Sequence, residues 1–380
     1  MNGGSLVKKV LKIFLILVCA ILVFGIGFIL TLQIFEYRPD DITILAIDNE
    51  PENSVTNYVG IDETVSIMTF NTGYASLSAT EDFVMDGGVK GRMDSIEEVE
   101  VNIAGIKSII TAAEADIYLL QEVDTDSDRS YNTMQYDEYS TLLSYSGSLG
   151  YNYRCIFVPF PFKMGQMMGS VDSGIATFSR FYTSDATRYQ LPGSFSWPVS
   201  LANLKRCVVV SHLPISGSDK YLTIVNVHLS AYDDGTMRIQ EMEALQNIVE
   251  AEYEAGNYVL VGGDFNQTFP DAVTITENID GTETYDYLYP LKETGLWEAY
   301  PMSDTWFTNN GFTFVNDIST PTCRLLNQPY DSENHDNNQY YSIDGFIVSA
   351  NITVESIQVI DQDFMYSDHN PVLIEISFIH

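Results

Sequence analysis

From Ile13 to Leu32 the chain reads IFLILVCAILVFGIGFILTL, with Lys8, Lys9 and Lys12 just before it and no charge inside it. About 20 apolar residues are what a helix needs to cross a hydrocarbon core. A cleaved signal has a shorter apolar core and a small-x-small cleavage site. Here Gln33, Ile34, Phe35, Glu36 and Tyr37 follow, which is an interface rather than a cleavage site. A buried core helix is the other reading, and a charge-free run of this length argues against it. The flank beyond the run is acidic (Glu36, Asp40, Asp41). Positive charge before the span keeps the N-terminus cytoplasmic and exports everything after it. The expected organisation is a cytoplasmic basic N-terminus (1–12), a transmembrane anchor (13–35), a stalk holding one short strand at Ile42 to Ala46 (36–65), and one folded domain (66–380).

Composition narrows what that domain meets. Hydrophobic residues make up 45% and aromatic residues 12%, enough for a large core. Acidic residues outnumber basic ones by 52 to 18, a formal net charge of −34. Such a field repels nucleic acid and anionic lipid at long range. It still permits a phosphate substrate, because a bound divalent cation reverses the local potential. Cys155, Cys207 and Cys323 lie outside the apolar run, widely spaced and without a CxxC pair, so no zinc site is expected and no disulfide is implied.

From residue 66 the pattern is rich in strands: SIMTF (66–70), DIYLLQ (116–121), YRCIFVPF (153–160), GIATFS (174–179), RCVVVSHL (206–213), YLTIVNVHL (221–229), YVLVGGD (258–264), SIDGFIVS (342–349), VESIQVID (354–361) and the closing VLIEISFI. Helical spacing marks Asp94–Glu114 and Thr236–Ala255, with Gly256 in place for a C′ residue. Residues 265–341 carry little pattern and read as long surface loops of the same domain. Many strands and few helices predict an α/β fold of two packed mixed sheets flanked by helices.

The ends of these strands are polar in a consistent way. TFN delivers Asn71, LLQEVD Glu122, VNVHLS His228, GGDFN Asp264 and Asn266, IDGFIV Asp344, and SDHNPV Asp368 and His369. Any one of them alone reads first as a cap or a turn starter. Asp344, inside an apolar strand, needs a partner if it is buried. Together and in this order, the segments resemble the endonuclease/exonuclease/phosphatase superfamily, the DNase I-like enzymes, over residues 66 to 380. DSGIATFSRF (172–181) adds to the likeness, and GGDFN with a C-terminal SDHNPV is its most specific pair. The resemblance implies a DNase I-like four-layer sandwich whose site lies at one edge, preceded here by a single transmembrane helix.

The resemblance also implies roles. Glu122 is the expected ligand of a hard cation, Mg²⁺ or Mn²⁺, with Asn71 beside it and Asp368 completing the shell. Asp264 would orient or deprotonate the attacking water, and Asn266 would hydrogen-bond the phosphate. An extended segment would send those two side chains to one face. His369 would bind phosphate as imidazolium with Asp344 as its partner. His228 would contact phosphate or protonate the leaving group. The expected activity is metal-dependent hydrolysis of a phosphoester, by a phosphodiesterase or phosphatase, outside the cytoplasmic membrane. The alternatives are an extracellular DNase I-like nuclease and a non-catalytic binding module on the same fold. The expected partners are the phosphoester substrate and the membrane, with no sign of an obligate oligomer.

Other features are weaker. Arg129 and Arg238 read as solvated loop or helix residues before they read as phosphate contacts. VPFPFKMGQMM (158–168) reads as core packing or as an apolar rim for substrate or lipid. His212 and His335 have no motif around them.

Overall fold

The computed structural model describes residues 3–49, 57–233, 235–278 and 280–379. Two sheets face each other. One has seven strands in the order Ile42–Ile44, Asp185–Gln190, Cys207–Pro214, Tyr221–His228, Tyr258–Asp264, Asp344–Ser349 and Phe312–Val315. The other has six, in the order Ile352–Val359, Val372–Phe378, Val65–Asn71, Ile117–Asp124, Gly169–Ser179 and Ser146–Val158. Ile67, Leu119 and Ile374 of the second sheet share a buried core with Ile224, Leu260 and Phe346 of the first. On the second sheet's outer face, helix Ile96–Ala113 buries Val99, Ile103, Ile106 and Ile110 against Met68, Tyr118 and Leu120. On the first sheet's outer face, helix Thr236–Glu254 buries Met242, Leu245 and Val249. This is the expected four-layer DNase I-like sandwich.

The helices explain why polar residues gather at one edge. Each lies between two parallel strands: Val65–Asn71 pairs with Ile117–Asp124, and Tyr221–His228 pairs with Tyr258–Asp264. A parallel pair presents both carboxyl ends on the same side, where sites form in α/β sheets. The neighbouring strands are antiparallel, so their starts share that edge: Asp344 sits opposite Asp264, and Val372 opposite Thr69. The sheets also approach closely, because a side chain on Gly262 would meet Leu119 of the other sheet at 2.7 Å.

Most expected strands and both expected helices are present, and Gly256 ends its helix at φ +83°. Several elements went unread in the sequence. Among them are the hairpin Val273–Glu277 with Glu283–Tyr287, the strand pair Cys323–Arg324 with Tyr340–Tyr341 and the short helix Thr305–Asn309, all within the segment 265–341 expected to be loops. Helix Gln135–Leu143 is short. Phe312–Val315 is a four-residue edge strand within the segment expected to be loops. In strand Asp185–Gln190, Arg188 points inward and breaks the apolar alternation; its guanidinium donates to the carbonyl oxygens of Tyr151 and Lys205.

The expected stalk, 36–65, is not free of the domain. Ile42–Ile44 forms the sheet edge, Asp48 bridges Gly147, and Val59 is buried in the central core beside Ile215. Residues 50–56 lie outside the described range. Ahead of this segment, helix Gly3–Ile34 is long and apolar enough to cross a membrane.

Candidate active site

The sequence-expected residues converge at that edge, and all line one cleft except Asp344, which lies behind His369. Asp264 is at its centre, buried. Its Oδ1 accepts from the Asn266 backbone N–H at 2.9 Å, and its Oδ2 accepts from Asn71 Nδ2 at 3.0 Å and Asn266 Nδ2 at 3.3 Å. Two imidazoles flank the same oxygen: His228 Nε2 at 3.4 Å and His369 Nε2 at 3.8 Å. Burial, and then the neighbouring Asp344, push the Asp264 carboxyl up to about 6.

His369 is held from behind. Its Nδ1 lies 2.9 and 3.1 Å from the two Asp344 oxygens. Burial alone would discharge the ring, but the carboxylate of Asp344 above all, with Asp264 and Asp368, holds its pKa well above the usual histidine value. Asp344 in turn is fixed by Thr322, whose Oγ1 accepts its backbone N–H at 3.1 Å. Ser367 ties the two chain segments together: its Oγ donates to the Asn71 carbonyl at 2.8 Å and accepts from the His369 N–H at 3.2 Å.

Glu122 reaches the cleft by a backbone device. Pairing of Ile117–Asp124 with Gly169–Ser179 slips between Leu120 and Val123, and Glu122 takes φ +56° within that slip. Such bulges re-aim side chains beside active sites. Glu122 Oε1 lies 3.8 Å from His228 Nε2. Burial raises the Glu122 pKa, and Oε2 is buried with no hydrogen-bond partner among the described residues. Asp368 is pushed up to about 7, chiefly by burial and with repulsion from Glu122 contributing.

Several expectations need correction. Asn266 does not share a face with Asp264 by extension; its φ is +51°, and a turn folds its amide back onto the carboxylate. The Asn71 side-chain oxygen, expected toward the cation, accepts the Gly73 N–H at 3.0 Å. His228 is buried and near Arg206, which depress its pKa well below the usual value, so the ring is neutral and poorly suited to donating a proton as an imidazolium. Arg129 and Arg238 are not solvated. Arg129 pairs with Asp124 through two nitrogens and stacks 3.6 Å from the centre of the Tyr74 ring, while Arg238 pairs with Asp233.

The tightest groupings of ligand-type residues among those described are Asp264–Asp344–His369 and Cys323–Asp368–His369. The first is the acid–imidazole relay itself. In the second, burial pushes the Cys323 thiol pKa up, and a soft sulfur donor is a poor match for a hard cation. Glu122 lies outside both groups, yet it lines the same cleft as Asp368 with one carboxylate oxygen unsatisfied among the described residues, and carboxylate oxygens are the donors a hard divalent cation takes.

Sequence reading overlooked Arg206, which lines the cleft, donates to the His228 carbonyl at 3.4 Å, and makes no ion pair among the described residues. Nothing in its local sequence marks it. Its place follows from the register of Cys207–Pro214 against Tyr221–His228.

A sequence profile described as the endonuclease/exonuclease/phosphatase family matches residues 97–369. The chain belongs to this family. A search of curated proteins found no match. Among solved structures, the fold is similar to an endonuclease/exonuclease/phosphatase from Beutenbergia cavernae DSM 12333, with TM-score 0.55, 17% identity, and coverage of 83% of this chain and 72% of that one. It is also similar to a functionally unknown conserved protein from Enterococcus faecalis V583, with TM-score 0.51, 15% identity, and coverage of 83% and 100%. ANGEL2, a 2′,3′-cyclic phosphatase solved with adenosine-2′,3′-vanadate, is similar at TM-score 0.50 and 14% identity, with coverage of 84% and 96%. At these identities the likeness concerns the fold.

Proposed function

We propose that this protein is a divalent-metal-dependent phosphoester hydrolase, anchored by helix Gly3–Ile34 with its active site outside the cytoplasmic membrane. The observation that carries the activity is one buried carboxylate, Asp264, held between two imidazoles of opposite tendency, beside an unsatisfied Glu122 oxygen. Glu122 and Asp368 would hold Mg²⁺ or Mn²⁺, with Asn71 alongside. When bound, the cation polarises a phosphoryl oxygen and offsets charge in the transition state.

The protein's own groups supply the rest. Asp264, with a pKa near 6, is mostly ionised at neutral pH; Asn71 and Asn266 fix its oxygens, and it orients the water and takes its proton. The water oxygen bonds to phosphorus, the ester P–O bond breaks, the leaving oxygen takes a proton from solvent, and Asp264 returns the proton it took to solvent. His369, held cationic by Asp344, donates to the phosphoryl oxygens as negative charge builds up. His228, being neutral, hydrogen-bonds the phosphate without adding charge. Arg206 adds a positive charge to the wall of the cleft.

The placement of the domain rests on the apolar span and on the lysines before it. The test uses the full chain in detergent with bis(p-nitrophenyl) phosphate and p-nitrophenyl phosphate. Turnover that needs Mg²⁺ or Mn²⁺, stops with chelator, and falls at least about 100-fold in Asp264→Asn and His369→Ala is the expected result. Equal turnover in those variants would place the activity elsewhere.

A further inference from the structure

The catalytic cleft does not end at the polar residues. One cavity of about 620 Å³ runs from Asp264, Glu122 and His369 to Phe28, Ile29 and Leu32 on the N-terminal helix. Cavities of about 300–1,000 Å³ hold a drug-sized molecule, so there is room for a head group and the nearest part of a tail. Its walls between the two ends are largely apolar and include Phe83, Val158, Phe160 and Met168.

The helix is fastened where it meets this cavity. Leu32 is buried in a cluster with Tyr153, Val158, Met168 and Leu201, and Phe28 and Ile29 pack against the same cluster. Trp197 Nε1 donates to Gln33 Oε1 at 3.1 Å, and Lys205 pairs with Glu36 at 3.0 Å. Counting the roughly 20 residues of a span from Lys12 brings Phe28 to Leu32 to the far end of the hydrocarbon layer. Around that end, Phe162, Met164 and Trp197 are 82%, 96% and 63% exposed. Exposed apolar side chains beside a span, with a tryptophan among them, are at home in the interface of a leaflet.

We infer that the end of the N-terminal helix forms a wall of the substrate site, and that the substrate is a phosphodiester lipid entering laterally from the leaflet where the helix ends. The phosphate would lie between Glu122, Asp264 and Arg206, with the near end of the tail along Ile29 and Leu32. A net charge of −34 favours a zwitterionic head group over a polyanion. This inference rests on the hydrolase reading above for its chemistry, though not for binding.

The test uses the full chain in phosphatidylcholine vesicles. A phosphatidylcholine with a photoactivatable diazirine in its acyl chain is crosslinked, and the labelled peptides are read by mass spectrometry. Label on peptides containing residues 28–32 and 158–168, displaced by excess phosphatidylcholine or sphingomyelin, is the expected result. In parallel, Ile29→Trp narrows the cavity, and turnover of vesicle-borne phosphatidylcholine and sphingomyelin is compared with turnover of bis(p-nitrophenyl) phosphate. The ratio of lipid to soluble turnover should fall at least about tenfold. Label confined to the rest of the helix, or a ratio unchanged by Ile29→Trp, overturns the inference. Label in the cavity of a protein that hydrolyses neither substrate leaves the lipid site standing and refutes the hydrolase reading.

Discussion

Replacing Asp344 by Asn isolates the pairing that makes His369 useful. Both Asp344 oxygens lie within hydrogen-bond reach of Nδ1, at 2.9 and 3.1 Å, and both residues are buried. Asn keeps the shape and one acceptor oxygen but removes the negative charge. A buried hydrogen bond to a charged group has a net value of about 1.5–3 kcal/mol. If the imidazolium is worth most in the transition state, that energy is lost from the barrier, lowering kcat/KM by about 10- to 150-fold. The loss should appear mainly in kcat, because Asp344 touches the substrate only through His369. The assay is steady-state hydrolysis of bis(p-nitrophenyl) phosphate in a double-mutant cycle with His369→Ala. Asp344→Asn should add less than about twofold to the loss already caused by His369→Ala, since the two act as a unit. A full additional loss in the double variant would show that Asp344 acts independently of His369 and would refute this reasoning.

Glu122→Gln should raise the melting temperature of chelator-treated protein at pH 8 by about 2 °C, since it removes one of two mutually repelling carboxylates, the half-buried Glu122 beside the buried Asp368, at about 1 kcal/mol. The same variant should lose the upward shift that Mn²⁺ gives the wild type, and a retained shift would count against Glu122 as a ligand. His212 is bonded to Asp185 at 2.7 Å and Glu252 at 3.1 Å; burial opposes its charge, but these bonds win and push its pKa up to about 9. Because the folded value is raised, this stabilisation is complete below about pH 6.5 and disappears as pH rises through about 9. It is about 2 kcal/mol after allowing for the ring's partial exposure. Thermal unfolding at both extremes should show a pH-dependent loss in the wild type that His212→Gln lacks, and equal slopes would contradict the assignment. Gly263, at φ +154°, has no room for a side chain because a Cβ would overlap the Val227 carbonyl oxygen, whereas Gly281 faces open space. Gly263→Ala should cost more than about 3 kcal/mol, whereas Gly281→Ala, in open space but at φ +81°, should cost only the about 1–2 kcal/mol of left-handed backbone strain; equal melting shifts would refute the packing argument.

The sandwich and the site residues were legible because strands buried on both sides are almost wholly apolar, so a polar residue at each carboxyl end stands out. Asp344 was detectable for the same reason, as an acid inside an apolar run. What stayed hidden depends on backbone geometry or on contacts between distant segments. Nothing in LLQEVD shows that Glu122 sits on a bulge at φ +56°, nor does GGDFN show that Asn266 turns back at φ +51°. Arg129 and Arg238 read as exposed because charge normally lies outside, yet they, like Arg188, are buried on partners that only the fold supplies. His212 gave no signal because Asp185 and Glu252 come from other elements. The short strand in the expected stalk was legible, but its docking was not, because its partners in Asp185–Gln190 come from a distant segment and a single buried residue such as Val59 leaves no periodic trace.

The central claim is that water held by Asp264 attacks phosphorus. Its most direct test is turnover of bis(p-nitrophenyl) phosphate by the full chain in ¹⁸O-labelled water with Mn²⁺, followed by mass spectrometry of both products. The account predicts one ¹⁸O on the released p-nitrophenyl phosphate, none on p-nitrophenol, and loss of this product in Asp264→Asn. Label on the p-nitrophenol oxygen, or undiminished labelled phosphate from Asp264→Asn, would contradict it.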